Sequence, residues 1–146
     1  MRISPVSKWL VGTQMLCIAS LVWTGGLWPH SNAGRWLLLA ALLLMAAAFI
    51  AFRRSRLSVF PEPVAGAQLL QQGIYAYIRH PLYTAVLLGT AAYLPAPWAW
   101  WRWLLWVLLL IILIIKIRLE ERLLRNAFAE YASYQQRTWR LLPFIY

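Results

Sequence analysis

From residue 9 to residue 28 the chain runs twenty residues without a charged side chain. A helix needs about 20 apolar residues to cross the hydrocarbon core of a bilayer, so this stretch is long enough for one crossing. A second stretch, 36–52, is rich in Leu and Ala and stops at Arg53, Arg54 and Arg56. A third opens at Pro81 and stays uncharged to Trp101, but Pro95 and Pro97 interrupt it. Proline inside a helix removes a hydrogen bond and clashes with the preceding turn. This stretch therefore divides into a short helix over 82–94, a tight turn, and a fourth helix over 98–117. Beyond it, Leu119, Leu123, Leu124, Ala127, Phe128 and Tyr131 recur at helical spacing between charged residues, the pattern of an amphipathic helix.

The fold class is thus all-α integral membrane. Four transmembrane helices are expected, the third and fourth as a hairpin, with a C-terminal cytoplasmic amphipathic helix continuing from the fourth or lying beside it. Residues 1–146 form one membrane domain, with two N-terminal helices in 1–57 and a functional core in 58–146. Composition agrees. The chain is 62% hydrophobic and 12% charged, whereas a soluble domain is roughly half apolar and about a quarter charged. The first stretch follows Arg2 and Lys8 as a signal peptide would, yet it is long for one and no small-x-small cleavage site follows, so a retained helix is expected.

Fourteen Lys and Arg stand against four Glu and no Asp, a net charge of +10. The basic residues sit between apolar runs rather than along one polar face, which points to a bilayer and away from nucleic acid. With the N-terminus cytoplasmic, all but Arg35 and Arg102 fall on the cytoplasmic side, as the bias of cytoplasmic loops toward Lys and Arg requires. The expected location is the cell inner membrane, both termini cytoplasmic. Trp98, Trp100, Trp101 and Trp103 at the far end suit headgroup depth; a packed aromatic cluster is the alternative.

The inventory removes much chemistry. Cys17 stands alone, His30 and His80 are far apart, and the lack of Asp excludes Ser-His-Asp triads and Asp-held magnesium. No metal is expected, and an enzyme built from these residues borrows its reactivity from a cofactor.

The dense polar cluster is 73–83. Pro81 suits the first position of a helix, and the free N–H groups after it, beside Arg79, form a seat for a carboxylate or phosphate. His80 and Tyr83 lie three apart and can meet at that helix mouth. Equally, Arg79 and His80 can simply mark the membrane boundary and snorkel. Glu120 and Glu121, among Lys116, Arg118, Arg122 and Arg125, form the second cluster. Such a run is usually a solvated ion-pair face, though Lys116 and Glu120 are four apart and share one side of a helix.

Gly-x-Tyr, then Arg-His-Pro-x-Tyr, then Glu-Glu after an apolar hairpin, then Tyr-x-x-Tyr and a closing Pro resembles the isoprenylcysteine carboxyl methyltransferase and phospholipid methyltransferase superfamily. The resemblance covers 68–144. It implies an integral-membrane enzyme that uses S-adenosylmethionine on a lipid-like acceptor, with cofactor contacts at Tyr75, His80, Pro81, Leu82, Tyr83 and Glu120. Gln68 and Leu70 match less distinctly and would supply backbone contacts. Arg79 joins this set as a partner for the cofactor's carboxylate, and Glu121 as the neighbour of Glu120, which would face the cationic part. The family's basic residue one turn before the Glu pair, commonly Arg, falls on Lys116, with Arg118 nearby; both are expected on the acceptor side. Phe128 to Tyr131 is one residue shorter than the usual Phe-Gly-x-x-Tyr, which implies a slightly rotated final helix.

Two other readings stay open. Membrane sterol reductases share Arg-His-Pro-x-Tyr and an ending like Arg140-Leu-Leu-Pro143, but bind NADPH and are much longer. A non-catalytic protein could hold lipid or a partner through its basic loops. A prenylated cysteine carboxylate, a phosphatidylethanolamine amine and a hydrophobic thiol or acid all suit an apolar entrance; Lys116 favours an anionic acceptor.

Overall fold

The computed structural model describes residues 5–26, 28–52, 69–95 and 100–146. Within them the chain is all-helical: α1 (Pro5–Gly25), α2 (Asn32–Phe52), a 3-10 turn (Gly73–Ala76), α3 (Pro81–Ala91), α4 (Trp100–Ala127) and α5 (Tyr131–Arg137). Arg53, Arg54, Arg56, Gln68, Pro97, Trp98 and the Pro61-Glu62-Pro63 turn lie outside the described residues.

α1 buries Ser7, Gln14, Cys17, Leu21 and Gly25, a spacing that keeps them on one helical face, and this face packs on α4. α2 packs most extensively on α3. Its buried residues there include Ala41 and Ala48, and Ala41 faces Gly89, so small side chains let the two backbones come close. The central core joins Cys17 and Leu21 of α1, Leu87 of α3, and Leu109, Ile112, Leu113 and Ile117 of α4.

α1 and α2 are long and apolar enough to cross a membrane, yet only 22% and 17% of their apolar windows are buried within the protein. The rest, with Trp9, Trp23, Leu43 and Ile50 exposed, needs a nonaqueous surrounding. These helices face lipid, unlike the covered core helix of a soluble protein, and the chain is a membrane protein. α3 has only eleven residues, short of a full crossing as its prolines imply. At its far end Trp100 and Trp103 are exposed rather than packed as a cluster, and the Arg102 guanidinium lies 5.6 Å from the Trp101 ring.

The amphipathic segment continues directly from α4, one of the two arrangements the sequence left open. Residues 100–127 contain neither Gly nor Pro, so nothing stops α4 where the charges begin. It continues for 28 residues, about 42 Å, and breaks only at 128–130 before α5.

Gly34 sets the spacing at the start of α2. A Cβ there would lie 2.6 Å from the Ala92 carbonyl oxygen and 2.9 Å from Pro29 Cβ. Gly→Ala inside a helix ordinarily stabilises by about 1 kcal/mol. Here the sign is expected to reverse. Gly34→Ala pushes on backbone and is expected to destabilise by about 1–3 kcal/mol, read as a lower unfolding temperature in detergent; a rise would refute this packing.

Candidate functional site

The Arg-His-Pro motif is positioned by the end of the chain. Ile78 and Trp139 form an isolated parallel bridge, with Arg79 N–H donating to the Trp139 carbonyl (2.8 Å), His80 N–H to the Arg140 carbonyl (3.0 Å) and Trp139 N–H to the Tyr77 carbonyl (3.0 Å). Just upstream, Gly73 has φ +61, which glycine adopts without strain, and the chain turns there into the 3-10 turn that carries Tyr75. The Tyr134 hydroxyl of α5 donates to the Tyr75 carbonyl at 2.6 Å. Burial pushes both phenols up, Tyr134 to about 12, so both stay neutral.

Adjacent residues on a helix point about 100° apart, and the Glu pair divides accordingly. Glu121 turns inward and is almost wholly buried. It accepts from Arg79 Nε at 2.8 Å and from Arg140 Nε at 3.0 Å. Arg79 also donates through Nη1 to the Gln135 carbonyl and to both oxygens of Thr138. Burial alone would push the Glu121 carboxyl up, but the facing His80 and the contact and charge of Arg79 outweigh it and hold it down, from 4.5 to about 2.

Glu120 faces the other way. Its Oε2 accepts from the Tyr83 hydroxyl at 3.0 Å and lies 3.7 Å from His80 Nδ1. The His80 ring stacks on Tyr83 with centroids 5.5 Å apart and planes 2° apart, the meeting expected at the mouth of α3. His80 Nε2 is 3.6 Å from Glu121 Oε1, beyond hydrogen-bond range, and is a buried nitrogen with no hydrogen-bond partner among the described residues. The imidazole therefore stands between the two carboxylates without being spent on either.

Beside them is a cavity of about 290 Å³, near the lower end of the roughly 300–1,000 Å³ of ligand pockets. Leu70, Tyr75, Arg79, His80, Pro81, Leu82, Tyr83, Lys116 and Glu120 all reach its wall. The cavity thus gathers most of the residues singled out in the sequence. Glu121 and Arg118 are not among its lining. Glu121 lies behind the wall in the Arg79–Arg140 clamp, and Arg118 is exposed. Two residues from Lys116 on one helix is about 200° of rotation, so Lys116 and Arg118 cannot both face inward. Gln68 lies outside the described residues.

The anion seat at the start of α3 is narrower than the sequence implies. The His80 carbonyl takes the N–H groups of both Tyr83 and Thr84, closing the first turn on itself. Leu82 N–H is left without a backbone partner among the described residues, and Leu82 is part of the cavity wall. Arg79 is largely engaged as well.

Wall residues that the sequence reading did not assign to the site include Gln14, Phe49, Val86, Tyr131 and Tyr134. Gln14 accepts at Oε1 from Lys116 Nζ at 2.7 Å, and Lys116 also lies 5.1 Å from the Tyr83 ring centroid. A single amide side chain in an otherwise largely apolar helix was the available signal for Gln14. Tyr131 belongs to the Tyr-x-x-Tyr already noted, but nothing local says that it reaches the Arg-His-Pro segment.

The phospholipid methyltransferase family model matches residues 58–131. That span includes the 3-10 turn, α3, α4 and the first residue of α5, and excludes α1 and α2. No curated protein matches the chain.

Proposed function

The chain belongs to the phospholipid methyltransferase family, a methyltransferase family, and on that premise we propose that it transfers a methyl group from S-adenosylmethionine to a lipid-like acceptor at the cytoplasmic face of the membrane. The observation that carries this reading is the convergence of His80 and Glu120, forty residues apart in sequence, on one cavity between apolar helices.

The residues present fit the cofactor. S-Adenosylmethionine supplies a methyl group on a positively charged sulfur, together with an amino-acid tail and an adenosine. Glu120 is the carboxylate on the cavity wall, and it suits a cationic group. His80 brings an unspent buried nitrogen, and the stacked His80–Tyr83 pair offers flat surface and hydrogen-bonding edges to adenosine. Leu82 N–H can take a carboxylate oxygen. Leu70, Tyr75 and Pro81 complete that part of the wall. No proton need be moved by these side chains if the acceptor arrives unprotonated. Their work is to bind, to orient and to exclude water.

Glu121 acts one layer behind as a positioning residue: through Arg79 and Arg140 it fixes the segment that carries His80. Lys116 is assigned to the acceptor end, where an ammonium favours an anionic head group such as the carboxylate of an isoprenylcysteine-type molecule. Arg118, on the opposite side of α4, is given no part in the cavity. The whole chain is read as one membrane unit of four membrane-inserted helices in the inner membrane, both termini cytoplasmic, so that a water-soluble cofactor and a bilayer-borne acceptor reach the same cavity.

The test is turnover. Purified protein in lipid nanodiscs, given methyl-labelled S-adenosylmethionine and hydrophobic acceptors bearing carboxylate, amine or thiol groups, is expected to move label into the lipid phase. Absence of transfer to all three would remove the proposal; preference for amine lipids would remove the carboxylate assignment.

A further inference from the structure

We propose that Gln14, on a helix outside the family-matched segment, sets the head-group preference of the acceptor by holding Lys116 and adding its own amide hydrogens to the same patch, so that this end of the cavity takes an anionic oxygen head group in preference to an ammonium. This deepens the methyltransferase reading and rests on it only in treating the occupant as an acceptor.

Donor and acceptor bookkeeping makes the argument. An ammonium has hydrogens to give and no lone pair, so the amide facing it must turn its oxygen toward it, as the 2.7 Å contact from Lys116 Nζ to Gln14 Oε1 shows. The Gln14 NH2 group is thereby left to other partners, and among the described residues it has none. Gln14 and Lys116 are 5% and 1% exposed, and both lie on the cavity wall. Lys116 gives one of its three hydrogens to Gln14. Together the pair offers a patch in which hydrogen-bond donors, two ammonium hydrogens and the amide NH2, outnumber the one lone pair left on Gln14 Oε1.

The placement is costly and therefore informative. Gln14 lies about 14 Å along α1 from Pro5, amid apolar neighbours, where polar side chains are expensive to keep and tend to be functional. Arg79, the other cation on the wall, is engaged by Glu121, Gln135 and Thr138. Glu120 lies one helical turn beyond Lys116, toward the charged end of α4. The cavity is consequently polarised, with a carboxylate at its outer end and a cation plus amide hydrogens at its membrane end. An ammonium head group there would meet the like charge of Lys116 and more donors than acceptors. A carboxylate would meet donors from two helices at once.

The experiment titrates single-chain amphiphiles of one tail length into the full chain in nanodiscs. Their heads are a carboxylate, a neutral carboxamide or an ammonium, and S-adenosylhomocysteine is titrated in parallel. The wild type is expected to favour carboxylate over carboxamide by about tenfold or more, in line with a charge-assisted hydrogen bond. Gln14→Leu is expected to reduce that ratio by about tenfold while leaving S-adenosylhomocysteine affinity in place. Gln14→Glu sets a carboxylate against Lys116 and neutralises the patch. It is expected to reverse the order, with ammonium bound better than carboxylate. A residue that merely tied α1 to α4 would lower all three affinities together and could not invert their order. Equal binding of the three heads by the wild type, or an unchanged carboxylate-to-carboxamide ratio in Gln14→Leu, overturns the inference. Failure of the wild type to bind S-adenosylhomocysteine would instead remove the methyltransferase reading, while the head-group comparison still decides the role of Gln14.

Discussion

Arg79→Ala is expected to lower the stability of the detergent-solubilised protein by about 3–5 kcal/mol, the range for removing one partner of a buried ion pair. The Arg79 and Glu121 side chains are 8% and 3% exposed, and Arg79 joins α4 to the Gln135 and Thr138 backbone. Truncating it strands the Glu121 carboxylate in a buried site with only Arg140, itself partly exposed, as a full partner. Glu121→Leu alone is expected to be similarly harmful, because it leaves the guanidinium unpaired. Arg79→Met combined with Glu121→Leu should recover part of the loss, since exchanging both members of a buried pair for apolar residues is often near neutral. Thermal unfolding of the three variants decides it. A double variant no better than either single one would show that the pair is not the unit that matters.

The same pair gives a pH dependence of definite sign. Glu121 titrates lower in the folded protein, at about 2, than the ordinary 4.5. Its carboxylate therefore stabilises the fold fully above about pH 4.5, and that contribution is lost as pH falls toward 2. Glu121→Gln is expected to flatten the stability profile in that window. An unchanged acid limb would place the titrating group elsewhere.

Glu120→Gln and His80→Ala are each expected to weaken S-adenosylhomocysteine binding by roughly tenfold to a hundredfold, the effect of a lost hydrogen bond to a charged group. Both variants should stay inserted and folded. Glu120 keeps part of its surface open and, among the described residues, accepts a hydrogen bond from Tyr83 alone, so Gln preserves the shape and removes the charge. His80 Nε2 makes no hydrogen bond among the described residues, so little native bonding is lost with the ring. This contrasts with Arg79→Ala, which should fail first in stability. Calorimetric titration separates the two classes, and unchanged affinity in both Glu120→Gln and His80→Ala would refute the assignment.

The sequence made some of this architecture plain and hid other parts for physical reasons. The uncharged runs announce α1 and α2 because bilayer thickness leaves few other uses for such lengths. Pro81 marks the start of α3 because its missing N–H is harmless at that position. The helical period, by contrast, could not say which Glu of an adjacent pair faces the cavity, since that depends on how α4 is rotated against its neighbours. Glu121 proved to hold Arg79 and Arg140 behind the wall, while Glu120 faces the cavity. For the same reason Lys116 is buried and Arg118 is exposed, though they are two residues apart. Gln14 meets Lys116 across 102 residues of chain, a contact with no local signature. The continuity of α4 was one of the two arrangements the sequence left open, and it is the one found because nothing in 100–127 breaks a helix.

The central claim is that one cavity, between the start of α3 and the middle of α4, grips a single methyl donor. The most direct measurement is an experimental structure of the protein in lipid with S-adenosylhomocysteine bound. The ligand is expected in contact with both His80 and Glu120. A ligand seated elsewhere, or an imidazole and carboxylate at these positions facing separate surfaces, would contradict it.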